Sequence, residues 1–250
     1  MRCGRGMPPF PFRNSAAVSW DNAPDAPRAP VKNVTIWRVP PVTGGAALSS
    51  LAEELTDGEQ ARAAALTLAR RRTEYICGHA ARARLAAQQD ATARFSITHT
   101  PELILIAGGN SAVLGIDAER VSAARPAAAL SRRFFCAQEA AAVAGHPQPR
   151  QSLIFFALWT AKEAMYKAFS PAGSRRGAFQ FSALPNMAEM AVSLTDADPS
   201  PRTFTIPAQG GCPPFRLEWF LPVPGTIGAL VADHTAGEPA FHDFSWDKSR

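Results

Sequence analysis

The sequence predicts an α+β protein built from two similar halves joined near Ala112. Three observations lead there. Strand, helices and strands follow one another twice along the chain, without the regular alternation that marks a parallel βαβ sheet. The densest β signal, from Phe95 to Glu119, falls near the middle. A long helical pattern over 150–169 then separates it from a series of short strands. The expected organisation is a flexible tail at 1–30, one α+β subdomain at 31–111, a second at 112–234 and a C-terminal tail at 235–250. The two subdomains are expected to be related by a pseudo-twofold.

The first thirty residues are rich in Pro, Ala and Arg and show no period. Arg2, Arg5 and Arg13 precede any acid, but Pro8, Pro9 and Pro11 would break an amphipathic targeting helix, so the segment reads as an untargeted tail. Val34, Ile36 and Trp37 give the first strand. A short helix follows over 46–55. A longer one, capped by Asp57, runs through Leu68 and Tyr75, with a break at Gly78 and a resumption to Gln88. Phe95-Ser96-Ile97 and 103–107 are strands; Gly108-Gly109-Asn110-Ser111 turns the chain, and 112–119 returns as a third strand. Helical segments are expected at 126–144 and 150–169. The remainder reads as a strand meander at 177–181, 189–194, 204–206, 215–221 and 226–232.

Of 250 residues, 46% are hydrophobic and 19% charged, a globular balance that excludes disorder as the default. The net charge of +5 suits an anionic ligand or an acidic partner and falls short of a nucleic-acid footprint. Cys3, Cys77, Cys136 and Cys212 are scattered, which supports neither a zinc site nor a disulfide framework and reads as four reduced thiols in a cytoplasmic protein. No apolar run approaches membrane-span length.

The chemistry gathers around three acids. Asp117 and Glu119 sit two apart in Leu114-Gly115-Ile116-Asp117-Ala118-Glu119, so on a strand they face one side while Ile116 faces the core. Glu163 lies on the later helix, with Lys167 one turn beyond on its face and Lys162 about 100° around. Three carboxylates suit a magnesium ion, which takes oxygen ligands and keeps positions for water and phosphate. Each piece has an ordinary reading as well: acid-x-acid pairs occur on solvated strand ends, and Glu-to-Lys at i, i+4 is a common surface helix pair. His99, between the Thr98 and Thr100 hydroxyls, ends a strand in a loop that can offer donors to a phosphate. Arg70-Arg71-Arg72 makes the preceding helix basic, either as a solvated face or as phosphate contacts.

In order, Ser96-Ile97-Thr98-His99-Thr100, Gly115-Ile116-Asp117-Ala118-Glu119, Phe134-Phe135 with Glu139, and Trp159-Thr160-Ala161-Lys162-Glu163-Ala164 with Lys167 closely resemble the Sfp-type 4′-phosphopantetheinyl transferases over roughly 70–170. The resemblance implies two similar α+β halves with coenzyme A in the cleft between them. It implies transfer of phosphopantetheine from coenzyme A to a serine of a carrier protein, with release of 3′,5′-ADP. Asp117, Glu119 and Glu163 would hold Mg²⁺; Arg72, His99, Lys162 and Lys167 would contact coenzyme A. The chain departs from the family pattern in four places. Ala118 stands where isoleucine is usual, and Thr98-His99-Thr100 replaces serine–histidine–serine. His79 follows Gly78 where arginine is expected, and Ala168 to Gly173 replaces a short glycine turn.

The expected mechanism follows from that resemblance. Glu163, with Glu119 as runner-up, removes the serine proton, and Lys167 stands by the departing oxygen. The partner is an acyl, peptidyl or polyketide carrier, generally acidic, expected to dock where Arg120, Arg125, Arg132 and Arg133 flank Phe134 and Phe135, one or both phenylalanines being core. By analogy with the trimeric synthases of about half this length, the chain is expected to be a monomer. A Mg²⁺-dependent phosphohydrolase, a catalytically decayed carrier-binding homologue and a basic nucleic-acid-binding protein are the competing readings.

Overall fold

The computed structural model describes residues 34–169, 184–194, 202–208 and 213–247. The tail expected at 1–30 and the strand expected at 177–181 lie outside them. Among the described residues two four-stranded sheets carry the fold, with helices on the outer face of each. This is an α+β architecture.

The first sheet has β1 (Val34–Val39), β2 (Arg94–Thr100), β3 (Leu103–Gly109) and β8 (Ala240–Asp243) in the order β2-β3-β1-β8. The second has β4 (Leu114–Arg120), β5 (Arg202–Ile206), β6 (Phe215–Phe220) and β7 (Thr226–Asp233) in the order β4-β7-β6-β5. Pairing is antiparallel except between β1 and β8. Alternation within the strands decides which face packs where. Leu103, Leu105 and Ala107 of β3 meet Leu114, Ile116 and Ala118 of β4 and Leu230 and Ala232 of β7 in the layer between the sheets. Ile104 and Ile106, pointing the other way, pack under the N-terminal helices. Both faces of β3 are covered, so all seven of its residues are buried.

On the first sheet lie α1 (Gly45–Glu53), α2 (Asp57–Ala64) and α3 (Ala69–Ala87). The cap of α2 is Thr56, in a reciprocal box with Glu59, one residue before the Asp57 expected from sequence. The expected break at Gly78 is also displaced. The helices part at 65–68, and α3 runs unbroken through Gly78, where a Cβ would stand 3.3 Å from Ile97 Cγ2 and 3.5 Å from Ile104 Cγ2. Glycine here lets the helix lie close on the sheet.

On the second sheet lie α4 (Ala127–Phe134), α5 (Ala137–Ala144), α6 (Arg150–Phe169) and α7 (Ala188–Ser193). The strand expected at 189–194 is α7: Met187, Ala191 and Leu194 are buried at helical spacing. The turn at 108–111 does not close a hairpin either. It carries the chain from one sheet to the other, where β4 pairs with β7 with Asp117 opposite Ala229. The hairpin partner of β3 is β2. The residues expected as a C-terminal tail supply β8, held by a bidentate Arg38–Asp243 pair (2.6 and 2.9 Å) and by Phe244 in the core. No described helix is long and apolar enough to cross a membrane.

One close approach sets the geometry that follows. The odd positions of β4 face α6, and a Cβ at Gly115 would stand 2.0 Å from Ala164 O and 2.8 Å from Ala168 N. Only glycine lets the strand and the helix backbone touch here. Gly115→Ala is expected to destabilise the fold by about 3 kcal/mol or more, because backbone must move. Gly58→Ala, in open space on α2, should be neutral or stabilising by up to about 1 kcal/mol. Urea unfolding of both variants tests this; equal stabilities would contradict it.

Candidate functional site

The site grows where β2 and β4, the edge strands of the two sheets, run side by side. An edge strand presents backbone groups without ladder partners, and buried ones must be satisfied otherwise. Side chains close the gap. Ser96 Oγ accepts the Ile116 N–H (3.1 Å) and Thr98 Oγ1 accepts the Ala118 N–H (3.2 Å). From α6, Lys167 Nζ donates to Ile97 O (3.2 Å), Ile116 O (2.8 Å) and Asp117 Oδ1 (2.8 Å). An ammonium carries three protons, and each of these three acceptors can take one.

Asp117 is 7% exposed. Its Oδ1 also accepts the Thr98 hydroxyl (3.0 Å), while Oδ2, buried, accepts from no described residue. Glu119, further along the same strand face, and Glu163, on α6, are half-buried. Burial, the charge of Asp117 and that of Glu163 push the Glu119 carboxyl above its ordinary range, against the pull of Arg125 and Lys167. The three acids therefore share one neighbourhood. Among the described residues no three His, Cys, Asp or Glu side chains stand as a ready metal cage, and one oxygen of Asp117 is taken by the Lys167 ammonium. The unpaired Oδ2 and the mutual repulsion of the acids nevertheless suit a hard divalent cation with oxygen ligands.

His99 ends the same seam. Its Nε2 lies 2.8 Å from an Arg71 guanidinium nitrogen and 3.5 Å from Glu74 Oε2. Burial, then the charges of Arg71 and Lys167, lower its pKa to about 4, so the imidazole is neutral at pH 7 and Nε2 accepts from Arg71. Glu74 is 5% exposed, and its oxygens accept no hydrogen bond from a described residue; Arg70 (3.6 Å) and Arg71 (4.0 Å) are its charge partners. Burial raises the Glu74 carboxyl against those two arginines.

Other expected contacts are placed elsewhere. Arg72 donates to Leu66 O (2.7 Å) at the start of α3, so it closes a helix junction while Arg70 and Arg71 take the position beside His99. Lys162 is wholly buried, its Nζ 3.0 Å from Glu139 Oε1, which is equally buried. Glu139 also accepts from Met187 N (3.1 Å) and Cys136 N (3.2 Å). Lys162 therefore ties α5, α6 and the start of α7 together and is not exposed to a phosphate. Lys167, expected at a departing oxygen, instead clamps two strands and a carboxylate. His79, standing where an arginine was expected, pairs with Glu59 (2.7 Å) and stacks on Tyr75, joining α2 to α3.

Near α4, Arg125, Arg132 and Arg133 are exposed. Phe134 is half-buried, edge-on to Trp159 (5.5 Å between centroids), with Arg133 5.1 Å above its ring. Phe135 is core, stacked on Phe155. Sequence reasoning places Glu74 in the family-like run Arg72-Thr73-Glu74-Tyr75 without a role, and it missed the seam roles of Ser96 and Thr98. The available signal was the alternation Ser96-x-Thr98-x-Thr100, three hydroxyls on one face of an edge strand.

Residues 113–209 match the model of the 4′-phosphopantetheinyl transferase superfamily. The chain is also similar to the 4′-phosphopantetheinyl transferase HetI of Nostoc sp. (strain PCC 7120 / SAG 25.82 / UTEX 2576), 25% identical over 147 residues, which cover 59% of this chain and 54% of that protein. The chain spans about half the length of the curated relative it matches. The superfamily resemblance drawn from the motifs is borne out by both comparisons.

The depressed His99 has a consequence for stability. Unfolded, it takes a proton as pH falls through its ordinary value near 6.5; folded, it resists until about 4. Its contribution is therefore complete above pH 6.5 and is lost as pH drops toward 4. The stability of wild type minus that of His99→Gln, from urea unfolding at several pH values, should shrink across that window. A pH-independent difference would contradict the assignment.

Proposed function

We propose that this chain transfers 4′-phosphopantetheine from coenzyme A to a serine of an apo carrier protein and releases 3′,5′-ADP. One observation carries the reading: Asp117 Oδ2 is buried and accepts from no described residue, while the charges of Asp117 and Glu163 raise the Glu119 carboxyl. Two facts support the transfer in particular, the superfamily match over residues 113–209 and the named activity of the Nostoc relative.

Asp117, Glu119 and Glu163 are the residues that would hold Mg²⁺. When bound, that ion neutralises charge on the pyrophosphate oxygens. The rest of the chemistry falls to the chain itself. Glu163 accepts the proton of the carrier serine, with Glu119 as the alternative base. The serine oxygen forms its bond to the phosphorus bearing the pantetheine arm. The bond from that phosphorus to the ADP oxygen breaks and its electron pair leaves with 3′,5′-ADP. Arg70 and Arg71 supply positive charge for coenzyme A phosphates, and neutral His99 supplies a hydrogen bond without adding charge. Lys167 holds Asp117 in place.

Coenzyme A would lie in a cleft between the 31–111 and 112–234 subdomains. The carrier would dock on the exposed arginines around Phe134, whose positive charge complements an acidic domain. The setting is a cytoplasmic monomer.

Intact-mass analysis of apo carriers incubated with the protein, coenzyme A and Mg²⁺ tests the reading. The carrier should gain one phosphopantetheine. Glu163→Gln, folded by circular dichroism, should lower the rate by about 10²–10⁴-fold, the range for loss of a general base. Release of phosphate or phosphopantetheine with no gain of carrier mass would indicate a phosphohydrolase instead. Near-wild-type transfer by Glu163→Gln would remove Glu163 from the chemistry.

A further inference from the structure

We infer that Thr98 is a positioning residue for Asp117: its hydroxyl fixes the carboxylate so that the unpaired Oδ2 is the atom left for a cation. The inference rests on the magnesium reading above. A threonine hydroxyl has one proton. In Thr98 that proton goes to Asp117 Oδ1 (3.0 Å), and a lone pair accepts the Ala118 N–H (3.2 Å). A hydroxyl so committed has no proton for a phosphate, the task its place beside His99 first suggests. Its β-branched side chain, 4% exposed, is restricted at χ1 and packed against the neighbouring strand.

Thr98 and Lys167 both donate to the same oxygen of Asp117. Two donors from two elements, one on β2 and one on α6, hold Oδ1 against rotation about χ2. With Oδ1 fixed, Oδ2 has one position. It is buried and accepts from no described residue, a costly state for a carboxylate oxygen unless a cation or donor arrives there. Residues that orient a metal-ligating carboxylate are worth about 10–100-fold in metal affinity.

Ser96 provides a control inside the same seam. It lies two residues earlier on the same strand face, is 8% exposed, and its hydroxyl accepts the Ile116 N–H (3.1 Å). Its bond goes to backbone and not to the carboxylate. Loosening the seam is common to both residues; orienting Asp117 belongs to Thr98.

The experiment is a Mg²⁺ titration of the full-length protein by calorimetry, with and without coenzyme A, alongside the Mg²⁺-dependent rise in thermal midpoint. Thr98→Val should weaken Mg²⁺ binding by about 10–100-fold. Thr98→Ser, which keeps the hydroxyl, should restore it to within a few-fold, and Ser96→Ala should leave it near wild type despite lower stability. Should Thr98→Val fail to fold, Thr98→Ala leaves room for a water at the Ala118 N–H and carries the same expectation. Wild-type affinity in Thr98→Val (or Thr98→Ala in its place), or an equal loss in Ser96→Ala, would overturn the inference while leaving the cation site standing. Absence of Mg²⁺ binding by wild type under both conditions would overturn the cation site and this inference with it.

Discussion

One ammonium group bridges the facing edges of the two sheets. Lys167 Nζ places protons on a carbonyl of β2, a carbonyl of β4 and the carboxylate of Asp117. Strand edges that would otherwise need water or a further strand are satisfied by one side chain reaching in from α6, helped by the Ser96 and Thr98 hydroxyls. The reach depends on Gly115, whose missing side chain lets α6 rest on β4. Once helix and strand touch there, the charges of Asp117 on the strand and Glu163 on the helix are both felt at Glu119.

Two lysines of α6 meet buried acids, and the difference between them separates structure from site. Lys162 faces Glu139, whose oxygens also take two backbone N–H groups. That pair is saturated and closed, the condition under which buried charge is tolerable. Lys167 faces Asp117, where both donors crowd onto one oxygen and the other is left over. Glu119, pushed upward by burial and by its acidic neighbours, adds to the uncompensated negative charge. A fold that needed only stability would not leave a carboxylate oxygen buried this way beside two further acids. The same sign of charge runs out at His99, where Arg70 and Arg71 surround Glu74 and the surface turns basic. Acids beside bases along one seam suit a cation together with a phosphate-bearing ligand.

The α+β class was legible because its signals are local. The pattern at 150–169 is the extent of α6, and the runs at 103–107, 215–221 and 226–232 each fall on a strand. What depended on tertiary context was not. Gly108-Gly109-Asn110-Ser111 looks like a hairpin turn and instead passes the chain between sheets, since nothing local says which edge the next strand will join. Gly78 looks like a helix break, but its small size serves the helix's contact with Ile97 and Ile104. Residues 240–243 resemble a tail because a four-residue edge strand carries little pattern. At the site, the Asp117/Glu119 face and the Glu163/Lys167 face followed from period alone. The clamp role of Lys167, the burial of Lys162 and the pairing of Thr98 with Asp117 join residues distant in sequence, which no period encodes.

The central claim is that Asp117, Glu119 and Glu163 take one divalent cation while Lys167 stays on Asp117 Oδ1. Anomalous diffraction from crystals grown with Mn²⁺ and coenzyme A tests it most directly. The account predicts an anomalous peak bound by Asp117 Oδ2 and the two glutamates, with the Lys167 contacts to Ile97 and Ile116 intact. A peak at other ligands, or Lys167 drawn off the seam onto a phosphate, would contradict it.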